Sequence, residues 1–157
     1  MSVRDKKKLY NKIMNNIKKL DTVVIGIGHF SDSGKTEDGE IDLAELMATH
    51  ELGSKKMNIP ARPVHGRTFR ANEAKMRKLI VKLSAEVMMG GMRPEVAMAL
   101  LGNFYEGALK EAFTKFKFKK LSANYKKRPS GKKVTPNSIP LVDTGNLRGA
   151  ITWKRLR

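Results

Sequence analysis

Cysteine is absent from the 157 residues, so disulfides, thiolate metal sites and cysteine nucleophiles are excluded, and the chain suits a reducing cytoplasm. Aromatic residues are few, at 6%, with a single Trp. No apolar run approaches the roughly 20 residues that a membrane span requires, and the charged opening stretch lacks the apolar core of a signal peptide. The expectation is a soluble product of the cytosol with no membrane partner.

Histidine is sparse as well: His29, His50 and His65 are the only ones. His50-Glu51 lacks the second histidine four residues on that would make a metal-binding helix, and the carboxylates do not follow calcium-loop spacing. Ser33-Gly34-Lys35-Thr36 looks like the end of a phosphate-binding loop, but the position five residues before Gly34, where that motif needs glycine, is His29. Glu37, Asp38 and Glu40 then follow, where they would repel a triphosphate. The sequence offers no nucleophile or acid–base pair placed for catalysis. It predicts no enzyme: no catalytic residues, no metal and no cofactor.

Acid is in short supply. Against 32 Lys and Arg stand 15 Asp and Glu, a formal net charge of +17, which favours polyanionic partners such as nucleic acid or an acidic protein surface. The charges are segregated. Arg4, Lys6, Lys7, Lys8, Lys12, Lys18 and Lys19 crowd the first stretch, and residues 115–133 carry nine Lys or Arg and no acid. Between them Asp32, Glu37, Asp38, Glu40, Asp42, Glu45 and Glu51 hold seven of the carboxylates, opposed there by Lys35 alone. Such an arrangement permits head-to-tail contact between copies.

The length suits one domain spanning 1–157. Val3, Tyr10, Ile13, Met14, Ile17 and Leu20 fall at helical spacing, predicting an amphipathic helix over 3–19 with Ser2 and Asp5 as a capping-box pair. Its lysine face is either solvated or a contact face for DNA or a neighbouring subunit. Thr22–Phe30 is β-branched and short, which reads as a strand, with Gly26 and Gly28 allowing close backbone approach. Residues 31–40 form a polar loop. Asp42 with Glu45 as a capping box, and Ile41 with Leu46 as a staple, open a helix over 43–52 that Gly53 ends.

Pro60 and Pro63 hold Ile59 and Arg62 in an extended segment. Phe69, Met76, Leu79, Ile80, Leu83 and Val87 mark a long helix that Gly90-Gly91 stops. Pro94 opens another, whose apolar stripe runs through Val96, Ala97, Leu100, Leu101, Phe104, Ala108, Leu109, Ala112 and Phe113. The short connection makes an antiparallel helical hairpin. From Lys115 to Ile139 periodicity fails, and Pro129, Gly131, Pro136 and the lysines predict a basic extended arm or loop over 118–139. Phe116, Phe118 and Tyr125 interleave with those lysines, as stacking platforms for single-stranded nucleic acid or as anchors that pin the arm to its own or a neighbouring subunit.

The stretch Pro140-Leu141-Val142-Asp143-Thr144-Gly145-Asn146-Leu147-Arg148-Gly149 predicts a compact corner. Asp143 is placed to cap a short helix at Gly145 or Asn146, with Val142 and Leu147 closing over it, Gly149 ending it in a left-handed conformation, and a strand over Ala150–Leu156. The fold class expected is α+β: a small antiparallel sheet packed against the long antiparallel helical hairpin, with an N-terminal amphipathic helix.

His50-Glu51-Leu52-Gly53, then Ile59-Pro60-Ala61-Arg62-Pro63, then Pro140-Leu141-Val142-Asp143-Thr144-Gly145-Asn146-Leu147-Arg148 occur in an order that resembles phage tail-completion proteins of the virion-morphogenesis type. The likeness covers roughly residues 22–153, and Val64 stands where family members tend to have Phe. The resemblance implies a structural phage tail protein of the head–tail neck that completes the tail and joins it to the head connector. It implies a homo-oligomeric ring, six-fold, around the DNA path, with head connector proteins and tail tube or tail terminator proteins as partners.

Electrostatics adds genomic DNA in the channel as a partner. Such a protein is assembled in the host cytoplasm and resides in the virion. Candidate interface residues are Asp143, Thr144, Leu147, Arg148, Glu37, Asp38, Glu40, Arg62, Lys126, Lys127, Arg128, Lys132 and Lys133. The alternative function is a monomeric or dimeric basic nucleic-acid-binding protein, using the first helix and the arm.

Overall fold

The computed structural model describes residues 3–118, 133, 141 and 145–157. In chain order these form α1 (Val3–Asp21), β1 (Ile25–Gly28), α2 (Leu43–Leu52), α3 (Val64–Met89), α4 (Pro94–Lys115), α5 (Asn146–Gly149) and β2 (Thr152–Arg155). The architecture is α+β: the antiparallel pair β1–β2 packs against the α3–α4 hairpin, with α1 at the N-terminal end. Two compact units are present. The first is made of Met1–Ile27, Ala71–Tyr105 and Trp153–Arg157, and the second of Gly28–Arg70 and Glu106–Thr152.

In the first unit the core is Leu83, Val87 and Ala97, with Leu20, Leu79, Met92 and Leu101 packed against it. α3 ends as its glycines dictate. Gly90, at φ 80°, donates to the Val87 carbonyl and Gly91 to the Glu86 carbonyl, a Schellman stop that only a left-handed residue can make without strain. α1 rests on this end: Asn16 Nδ2 donates to the Met88 carbonyl at 3.2 Å, and the Lys12 stem lies over Gly90. No residue of α1 is buried.

Gly102 on α4 is the seat of Trp153. A Cβ there would lie 2.6 Å from the indole ring, and the Trp153 Nε1–H donates to Asn103 Oδ1 at 2.6 Å. Next to β1, Val24 donates to the Arg157 carbonyl and accepts from Leu156, extending the pairing by one step.

The second unit buries Leu43, Met47, Val64, Leu109, Ala112, Phe113, Leu147 and Ile151. Thr68, also buried, returns its hydroxyl to the Val64 carbonyl at 2.7 Å.

Several expectations need correcting. The first strand is shorter than Thr22–Phe30, because Thr22 and Val23 donate back to Lys19 and Leu20 and belong to the exit turn of α1. Asp42 stands at the start of α2 but makes no side-chain cap, and the Leu43 N–H donates to the Gly34 carbonyl. α3 starts at Val64, directly after Pro63, and its packed face holds Val64, Thr68, Leu83 and Val87 while Phe69 and Ile80 are exposed. On α4, Val96 and Leu100 are exposed.

Gly149 does not end α5 in a left-handed turn. Gly149 and Ala150 continue the helical bonds to Gly145 and Asn146, Ala150 is right-handed, and the left-handed residue is Gly145, at the other end with φ 88°. The proposed roles of Ser2, Val142 and Asp143, and the arm over 118–139 apart from Phe118 and Lys133, fall outside the described residues.

Candidate functional site

The described residues of the stretches that carry the resemblance lie in the second unit, where the Glu51 carboxylate and the Arg62 N–H act on backbone. α3 begins after Pro63, whose ring has no acceptor to cap the free N–H groups of a helix start. Glu51, on the last turn of α2, supplies the cap. Its Oε2 accepts the His65 N–H and its Oε1 the Gly66 N–H, each at 2.9 Å. A carboxylate at that place also complements the positive end of the helix dipole.

Gly53 lets the chain fold back. At φ 75° it leaves α2, and a Cβ on it would lie 2.7 Å from the Ala61 nitrogen and 3.0 Å from the Ile59 carbonyl oxygen. Ser54 and Ile59 exchange backbone bonds at 2.9 and 2.8 Å, and Arg62 N–H donates to the His50 carbonyl at 2.7 Å. The segment Gly53–Arg62 is thereby clasped to the end of α2.

The third stretch joins through a histidine. His29 Nε2 lies 2.7 Å from the Leu147 carbonyl oxygen, and because a carbonyl only accepts, that nitrogen carries the proton. α5 packs on α2. The His29 ring stands edge-on to His65, with centroids 5.6 Å apart, and 6.5 Å from Phe113.

Burial pushes all three histidines below their ordinary pKa. For His29 the Leu147 carbonyl opposes burial and His65 adds to it; for His50 the positive charge of Arg62 adds; for His65 the Glu51 carboxylate opposes. Arg62 is itself lowered by burial. Nδ1 of His29, Nδ1 of His50 and Nε of Arg62 are buried without a hydrogen-bond partner among the described residues.

Of the expected interface residues, Glu37, Asp38 and Glu40 are exposed and lie together on a hairpin. Lys35 and Asp42 form an antiparallel bridge, Thr36 N–H donates to the Ile41 carbonyl, and Gly39 N–H to the Thr36 carbonyl at 2.8 Å. Asp38 ties the turn by accepting from the Thr36 hydroxyl and the Glu40 N–H, which together hold its carboxyl below the usual range. Arg148 and Lys133 are exposed. Arg62, 5% exposed, and Leu147, 8% exposed, belong to the interior and are not available as docking groups. Asp143, Thr144, Lys126, Lys127, Arg128 and Lys132 lie outside the described residues.

Arg67 is a residue that the sequence did not single out. Its guanidinium sits 4.5 Å from the Phe116 centroid and 5.5 Å from that of Phe118, and donates to the Lys117 carbonyl at 3.3 Å. Those aromatics pin their own chain. The capping role of Glu51 was also missed, although a proline at a helix start signals that the cap must come from elsewhere. Among the described residues no group of three or more His, Asp or Glu side chains is placed to hold a metal ion, and no helix is long and apolar enough to cross a membrane. No family model, no curated protein and no solved structure matches this chain.

Proposed function

We propose that the chain is a structural protein of a phage head–tail neck, which completes the tail and joins it to the head connector as a six-fold ring around the DNA path. The observation that carries this reading is the clasp. The motif residues Glu51, Gly53, Arg62 and Leu147 engage helix ends and backbone and so hold α2, α3 and α5 in register. That is the work of a scaffold whose surface geometry matters. The charge of +17 suits a ring that encircles DNA.

Partners on this reading are copies of the chain, head connector proteins and tail tube or tail terminator proteins, with genomic DNA held by charge alone. Assembly takes place in the host cytoplasm and the protein ends in the virion. The test is a phage lacking the gene. Unjoined filled heads and free tails by electron microscopy, with density at the neck restored by a tagged copy, are expected; normally joined particles would overturn it.

The second reading, a basic nucleic-acid-binding protein, is favoured by the lysine-rich surface of α1. The stacking of Arg67 on Phe116 and Phe118 counts against it, because those rings are engaged by the protein itself. A steep loss of DNA affinity with salt is common to both readings. Sequence-selective binding by a monomer would favour the second.

A further inference from the structure

We propose that the outer face of α1 is the docking surface for the acidic hairpin Lys35–Asp42 of a second copy of the chain. This rests on the ring reading in supposing assembly of like copies, and names the surfaces that join them.

α1 uses one side to pack, where Leu9, Ile13, Asn16 and Leu20 are partly covered. Beside that side runs a second apolar stripe that the described residues leave exposed: Val3, 85% exposed, Tyr10, 62%, Met14, 36%, and Ile17, 38%. At 100° per residue these four fall within one narrow arc, and Lys7 and Lys18 line its edge on the solvent side. Lysines alone would suffice for a phosphate backbone. A stripe that couples exposed apolar side chains to a basic edge fits a partner that offers carboxylates and an apolar group together.

The hairpin has that composition. Glu37, Asp38 and Glu40 project from a turn fixed by its own backbone bonds, and the exposed Ile41 stands beside them. Glu37 and Glu40 take part in no ion pair among the described residues, unlike Glu73, Glu106 and Glu111, which pair with Arg77, Lys110 and Lys115. A preformed turn loses little entropy on docking. Because two different surfaces meet, the contact is head-to-tail, and such contacts generate rings when the rotation closes. In a chain of net charge +17, concentrating the acid on one projecting turn is what allows copies to approach.

A charge swap on the full chain tests this by sedimentation velocity at low ionic strength. One variant carries Glu37→Lys with Glu40→Lys, and keeps Asp38 because it holds the turn. The other carries Lys7→Glu with Lys18→Glu. Each alone sets like charge against like, and its self-association is expected to weaken by roughly tenfold to a hundredfold. Mixed in equal amounts, the two variants are complementary in both directions, so association returns. A third variant, Tyr10→Ser with Ile17→Ser, weakens association with no change of charge.

Circular dichroism of each variant checks that it folds. Self-association undiminished in the variants, or a mixture that stays dissociated, overturns this contact while leaving a ring built on other surfaces standing. A wild type that is monomeric at every concentration overturns it too. If that monomer binds duplex DNA and the Lys7/Lys18 variant does not, the face belongs to nucleic acid; if wild-type particles also lack the protein at the neck, the ring reading falls with it.

Discussion

Glu51 closes the start of α3 at His65: its Oε2 accepts the His65 N–H at 2.9 Å from 14 residues away, and its Oε1 takes the next N–H in the helix. Glu51→Ala leaves both donors unsatisfied in a partly buried place and is expected to cost about 1–3 kcal/mol. Glu51→Gln, which keeps one good acceptor but loses the charge, should fall between. The midpoint of urea unfolding at unchanged slope measures the order wild type, Gln, Ala.

Two left-handed glycines separate strain from collision. Gly39, at φ 76°, has nothing within 4 Å of the place a Cβ would take, so Gly39→Ala carries only the conformational cost of about 1–2 kcal/mol. Gly53, at φ 75°, would in addition drive its methyl to 2.7 Å from the Ala61 nitrogen. Gly53→Ala is expected to destabilise by at least about 1 kcal/mol more than Gly39→Ala, because the backbone it meets cannot rotate away. Equal losses in the two variants would show that the clasp yields.

A second glycine pair lies on α4. Gly107→Ala meets nothing within 4 Å and should stabilise by about 0.5–1 kcal/mol through helix propensity. Gly102→Ala, with the same propensity gain, displaces the indole of Trp153 and should be destabilising on balance. Since Trp153 is the single Trp, its emission reports directly. A red shift is expected in Gly102→Ala and none in Gly107→Ala.

Acid should loosen the second unit. Burial holds His29, His50 and His65 below the ordinary value of 6.5, so below that pH the unfolded chain takes up protons that the folded chain excludes. The protons bound are greater in the unfolded state, and stability therefore rises with pH through this window: it is fully present above about pH 7 and declines as pH falls through 6.5 toward the lower folded values. Unfolding midpoints across that range measure the slope. His29→Gln, which retains an N–H for the Leu147 carbonyl and cannot titrate, should flatten it.

Some helix boundaries were legible in the sequence because they are set by neighbours along the chain, whereas the caps expected of Asp42 and Gly149 did not form. Gly53 ends α2 and Gly90 ends α3 at a positive φ that the missing Cβ permits, and Pro94, whose ring fixes φ, opens α4. The order of the motif stretches was equally open to view, and so was the exposure of Glu37, Asp38 and Glu40. Which face each helix buries was not. Phe69, Ile80, Val96 and Leu100 have the spacing of packed residues and yet are exposed, because periodicity allows several faces and only the arriving partner selects one.

The roles within the clasp, and that of Gly102 in the first unit, were hidden for the same reason. Glu51 caps a helix 14 residues on, Gly102 is small for a Trp 50 residues beyond its neighbour Asn103, and Arg62 is enclosed by segments that no local signal names. Local sterics act over one or two peptide units and are written in the sequence. Burial and capping at a distance are settled only when the tertiary structure brings separated segments within a few ångströms of one another.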